Sequence, residues 1–224
     1  MDDAKVRPNR RDFLGMAATA TLAGVGAVVP AASAVAASNE ASTDFTRWLD
    51  SIPGTHKQVY DTPELNQAFA LVWAWAFFAT GAPAYGVPES NLGVVIVLRH
   101  NALPLAFGDS AWAKYRLGEF YKINDPDTNA PAVRNPFYLT PSALPAPIAD
   151  AVLQKLIARG VKVAACNLAI TVHSGMVAQK MGLKPEVVKK DWTDAVLPGI
   201  QIVPSGVVAC NGAVSRGCTY VYAG

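Results

Sequence analysis

The stretch GVKVAACNLAITVHSG, residues 160–175, decides the fold. Glycine opens it, and a short run rich in valine and alanine leads to Cys166. From Leu168 the pattern turns helical and continues to Met181, where Gly182 supplies a stop. A strand that passes at once into a helix is half of a βαβ unit. Working outward, the same alternation recurs. His56–Thr62 reads as a first strand, and residues 91–98 as the strongest one. The run Val94-Val95-Ile96-Val97-Leu98 is continuous rather than alternating, as in a strand covered on both faces. Further strands are expected at 161–166, within 199–206 and at 218–223. Helices are expected at 64–80, 109–120, 147–159, 168–181, 184–196 and within 207–217. This order predicts an α/β fold with a mainly parallel sheet of about five strands and right-handed crossovers.

Two segments stand apart. Residues 121–147 carry many prolines with Asn and Asp between them, which predicts a long insertion without regular structure. It reads equally as a lid over a site or as an arm between subunits. The helix expected at 64–80, opened by Thr62-Pro63-Glu64 and closed by Gly81, is apolar without a break from Ala68 to Ala79. That run is shorter than the ~20 residues a bilayer span needs, so the mature chain is expected to have no membrane span. A helix apolar all round is buried on most sides, which points to core packing plus contact with another subunit.

The N-terminus has the three parts of an export signal. Asn9-Arg10-Arg11-Asp12-Phe13-Leu14-Gly15 is a twin-arginine pattern, Met16–Pro30 is apolar, and AASAVAAS (31–38) offers cleavage after Ala34, Ala36 or Ala37. Residues 1–37 are therefore expected to be a signal peptide, 38–55 a linker, and 56–224 one domain in the periplasm. The 19 Lys and Arg nearly balance the 17 Asp and Glu, and no basic stripe appears, so nucleic acid is not an expected partner. Three cysteines, Cys166, Cys210 and Cys218, leave at least one thiol unpaired within the chain.

The second half resembles the DsrE/DsrF-like sulfur-relay family, in its exported branch. The resemblance rests on an ordered series: the GVKVAAC strand, a helix, LPGIQIVPSGVVA (197–209), an Asn-containing helix, Gly217 and TYVYA (219–223). It covers 148–223 well and 56–120 loosely. It implies a flavodoxin-like three-layer fold, usually oligomeric, and in some members a persulfide on the cysteine that ends the Gly-Val strand, here Cys166. The chain departs from the pattern at Ala213-Val214, at Cys218 and in the 121–147 insertion.

The candidate site follows from fold and chemistry together. In open α/β sheets ligands gather at the carboxyl ends of the strands. Cys166 stands at such an end, before a helix whose free N–H groups and dipole favour a thiolate. A thiolate there can take up sulfane sulfur or exchange with a disulfide. The competing reading is a small apolar group filling the core. Arg99 and His100 end the 91–98 strand, and either bind an anion or close the strand against a loop. Asn167, Ser205 and Gly206 belong to the same edge. His173 lies nearly two turns beyond Cys166, ~10 Å along the axis, too far for direct contact. Cys166, His173 and Met176 hint at soft copper ligands, but a helix spreads them apart, so neither metal nor cofactor is expected. Three functions remain: sulfur relay with a donor or acceptor protein, a non-catalytic subunit of a homo-oligomer or larger periplasmic assembly, and a small-ligand or metal-binding protein.

Overall fold

The computed structural model describes residues 42–139 and 146–224, and the signal segment falls outside them. Five strands form one parallel sheet: β1 (His56–Thr62), β2 (Leu92–Leu98), β3 (Lys162–Cys166), β4 (Ile200–Val203) and β5 (Cys218–Tyr222). Their spatial order is β4-β3-β2-β1-β5. The continuous apolar run lies at the centre, and every residue of β2 is buried. Each fully buried Val, Leu or Ile there contributes on the order of 2 kcal/mol, so β2 anchors both layers.

The helices are α1 (42–50), α2 (Phe69–Tyr85), α3 (Asp109–Lys114), α4 (Leu117–Tyr121), α5 (Leu153–Ala158), α6 (Asn167–Met181), α7 (Pro185–Asp194) and α8 (Gly206–Val214). They divide between the two faces. Ile96, Leu98, Val163 and Ala165 share a core with residues of α2 to α7. Val59, Val95, Val97, Ala164 and Val203 share the other with Leu49 of α1 and Ala209 and Ala213 of α8. The chain steps from β1 to β4 in one direction with its helices on one face. It then returns past three strands to β5, and a same-handed crossover in the reverse direction must lie on the opposite face. The result is the three-layer, flavodoxin-like α/β architecture expected.

Several boundaries differ from expectation. From residue 42 onward the expected 38–55 linker holds α1 and a turn that bury Leu49 and Ile52 in the core. Helix α2 starts at Phe69, after three consecutive left-handed residues, Asn66, Gln67 and Ala68. It runs through Gly81, which packs against the Leu92 side chain, and stops at Gly86 (φ 65°). Residues Asn66–Tyr85 are long and apolar enough to cross a bilayer by length and composition, with a third of the segment buried. Its buried line, Ala70, Leu71, Ala74 and Phe78, belongs to the core shared with β2. The expected 109–120 helix breaks in two at Arg116 (φ 51°), and the expected 147–159 helix is reduced to α5 because Val152 is extended.

The described part of the insertion is pinned down. Asn135, 6% exposed, donates to the carbonyls of Leu105 and Phe107 at 3.0 and 2.9 Å and accepts from the Phe137 N–H. Buried Asp125 holds Arg134 at 2.6 Å. Gly118 lies so close to the Ala132 backbone that a Cβ would sit 2.3 Å from its nitrogen and oxygen.

Candidate functional site

The carboxyl edge of the sheet collects the ends of all five strands. β3 is followed by α6 on one face and β4 by α8 on the other. Adjacent strands whose connections leave to opposite faces define the switch point where open α/β sheets bind ligands. Cys166 and Val203 are register partners there. Cys166 and Asn167 follow β3, and Ser205 and Gly206 follow β4, so the four stand at the carboxyl ends of neighbouring strands.

Cys166 is the N-cap of α6, and its sulfur accepts the Ala169 N–H at 3.3 Å. The alanines before it let the strand pack closely, and the extended N-cap backbone turns the side chain toward the first free amides. The residue is also 4% exposed and lies within the apolar core, so it fills space as well. Asn167 is the first helical residue, and its carbonyl accepts the Thr171 hydroxyl.

All three cysteines are free and buried. Cys210 and Cys218 are held as thiols. Burial, then the nearby Asp61 charge, push Cys210 up to about 12. Burial also raises Cys218.

Arg99 does not stand open on the edge. It reaches Asp61 at the end of β1 with two hydrogen bonds, Nε to Oδ1 at 2.6 Å and Nη2 to Oδ2 at 2.9 Å. The Tyr220 hydroxyl donates to the same carboxylate at 2.6 Å, and the Cys210 thiol lies near it. Burial works to raise the Asp61 carboxyl, but the hydrogen bonds from Arg99 and Tyr220 outweigh it and hold it below its ordinary value. The Arg99 stem passes under the start of α8, where a Cβ on Gly206 would lie 2.7 Å from Arg99 Cδ. Ser205 caps that helix, its Oγ accepting from the Val208 N–H at 3.4 Å.

His100 and His173 form a separate group on the opposite face. Their rings meet edge to face with centroids 5.3 Å apart. His100 Nδ1 lies 3.3 Å from Glu64 Oε1, and the other Glu64 oxygen accepts from Asn101. His173 is 5% exposed, and its Nδ1 is 2.7 Å from the Tyr121 hydroxyl. Burial raises the Tyr121 phenol well above its usual range, so it stays protonated and donates. His173 Nδ1 therefore accepts, and the ring proton sits on Nε2. Burial, then the charge of His100, lower His173 to about 4.

The structure thus brings Arg99 toward Gly206 and His100 onto His173. Sequence reasoning missed Asp61, Tyr220, Glu64 and Tyr121. Asp61 carried a signal: a carboxylate near the end of one strand and an arginine after the next, both on the same edge of a parallel sheet. Among the described residues no cluster of three or more His, Cys, Asp or Glu is arranged to hold a metal ion. An open hollow of about 280 Å³ between α3 and α7, lined by Ser110, Lys114, Tyr115 and Asp191 among others, involves none of these residues. No family model matches the chain, and no curated protein is significantly similar to it.

Proposed function

We propose that the chain is an exported DsrE-like protein that accepts sulfane sulfur on Cys166 and carries it as a persulfide. One observation carries this reading: Cys166 stands at the switch point of the sheet with a helix N–H on its sulfur. Burial raises the Cys210 and Cys218 thiols, and Cys166 is the one cysteine whose sulfur caps a helix. In the transfer, the Cys166 thiolate attacks the terminal sulfur of a donor persulfide or the sulfane sulfur of thiosulfate. The donor S–S bond breaks, and its electron pair leaves with the donor thiolate or sulfite. A new S–S bond forms at Cys166. With only 4% of the residue exposed, small inorganic donors reach the sulfur more readily than a protein. Export rests on the twin-arginine pattern of residues 10–11 and the apolar stretch behind it.

Cyanolysis tests the reading. Folded protein treated with polysulfide and desalted should release about one sulfane sulfur per chain as thiocyanate. A Cys166→Ser protein should release none, and equal release from both proteins would overturn the proposal.

A second reading, a subunit of a homo-oligomer, draws on α2. No charged residue occurs from Leu65 to Pro88, and Phe69 and Tyr85 are 40% and 51% exposed. Trp73, Trp75 and Phe77 are only half-buried. Sedimentation of the wild type and of Trp73→Glu tests it. The reading expects an oligomer that the substitution dissociates, and a monomeric wild type at micromolar concentration contradicts it.

A further inference from the structure

The buried His173 takes no part in the sulfur chemistry, yet two groups from other elements hold it, and a third stands behind one of them. Glu64 approaches from the connection after β1, His100 from the connection after β2, and Tyr121 from the end of α4. Among the described residues, Glu64 and Tyr121 are the titratable groups seen in contact with the two histidines. Tyr121 also stacks on His173, with centroids 5.7 Å apart and ring planes 14° from parallel.

The four groups differ in freedom. His173 and the Tyr121 hydroxyl are enclosed, whereas the side chains of His100 and Glu64 are 43% and 47% exposed. His100 also has φ 49°, a left-handed backbone that non-glycine residues seldom adopt. Beyond it the chain is fixed, since Ala102, Leu103, Leu105, Ala106 and Phe107 have no exposed surface. His100 is therefore the one strained, half-exposed member of a contact that is otherwise locked.

We infer that the His100–His173 contact is an acid-released latch, which opens by outward movement of His100 while the core beneath stays folded. A second proton on His173 removes the acceptor that the Tyr121 hydroxyl uses. It also places a charge against the imidazole of His100 in a site with little access to water. Moving His173 would break the α6 core. Moving His100 relieves both the repulsion and the left-handed backbone, and exposes only a side chain that is already half in water. Water then reaches His173 and Tyr121, which lets the proton stay. Because proton uptake and opening are coupled, the observed midpoint lies above the value of about 4 for the closed site and below ~6.5 for free imidazole.

The test combines histidine NMR titration with hydrogen exchange, corrected for the intrinsic effect of pH, at pH 7.5 and 4. Exchange at residues 99–101 and 119–123 should rise about tenfold or more in acid, an order set by 1.4 kcal/mol of opening. Amides of β2 should remain protected. His173→Gln keeps an acceptor for Tyr121 without titrating, and should abolish the acid response. His100→Asn tolerates the left-handed backbone and removes the facing imidazole, so the His173 midpoint should move upward. Equal corrected exchange at both pH values in the wild type would overturn the latch. So would an acid response that survives in His173→Gln, or an unmoved His173 midpoint in His100→Asn. If one variant fails to fold, the wild-type exchange and the other variant still decide the matter.

Discussion

Replacing Arg99 by methionine removes both hydrogen bonds that Asp61 receives from the guanidinium and leaves the carboxylate with the Tyr220 hydroxyl. Methionine follows the arginine stem beneath Gly206, so the main change is the lost charge. Asp61 is 4% exposed, and breaking a buried pair from one side costs 3–5 kcal/mol. Arg99 is 27% exposed at the side chain, so some water already reaches the pair, and the low end applies. The expected loss is about 3 kcal/mol at pH 7, or roughly 6–12 °C in Tm for a domain of this size. Asp61→Asn should cost less, about 1–2 kcal/mol, because the arginine left behind can hydrate. The sign with pH follows from the carboxyl being held below its ordinary value. Its contribution is present above the unfolded carboxyl value of ~3.9 and is lost as pH falls through the lower folded value. In Arg99→Met burial dominates, Asp61 takes up a proton earlier, and the gap between the two proteins narrows below about pH 5. Urea unfolding from pH 7 to 3.5 reads this out. A loss under about 1 kcal/mol at pH 7, or a larger loss in Asp61→Asn than in Arg99→Met, would refute the reasoning.

Two further substitutions probe how the insertion is held. Gly118→Ala puts a Cβ within 2.3 Å of the Ala132 backbone and should destabilise by about 3 kcal/mol, whereas a change within about 0.5 kcal/mol in urea unfolding would mean that the segment moves aside freely. Asn135→Leu leaves two carbonyls and an N–H without their side-chain partner and should cost about 3 kcal/mol, with limited proteolysis cutting near 124–139; unchanged proteolysis would show that the segment is held elsewhere.

The strands were the most legible part of the fold. The run 94–98 could only be a strand covered on both faces, and Leu92–Leu98 is buried throughout. Helix ends were harder to read because their residues serve tertiary contacts. Thr62 stays in the β1 ladder rather than capping a helix, and Glu64 binds Asn101 and lies beside His100. The chain then needs three left-handed residues before α2 can begin. Gly81 reads as a stop, yet in α2 it provides room for Leu92.

At the site, sequence order showed that Cys166, Arg99, His100, Ser205 and Gly206 share the carboxyl edge. It did not show that alternate residues at that edge turn to opposite faces. Arg99 goes to Asp61 and Tyr220 on one side, and His100 goes to His173 on the other. Both histidines and the arginine were visible. Arg99 lies 38 residues from Asp61 and His173 52 residues from Tyr121, beyond the reach of local pattern.

The role proposed for Cys166, acceptance of sulfane sulfur, can be read at the level of single peptides. Peptide-resolved mass spectrometry of the folded protein, after brief exposure to thiosulfate or polysulfide and rapid alkylation, measures it directly. The account predicts a gain of ~32 Da on the peptide carrying Cys166, with Cys210 and Cys218 unmodified. Added sulfur on Cys210 or Cys218 with Cys166 unchanged, or no added sulfur on any cysteine, would contradict it.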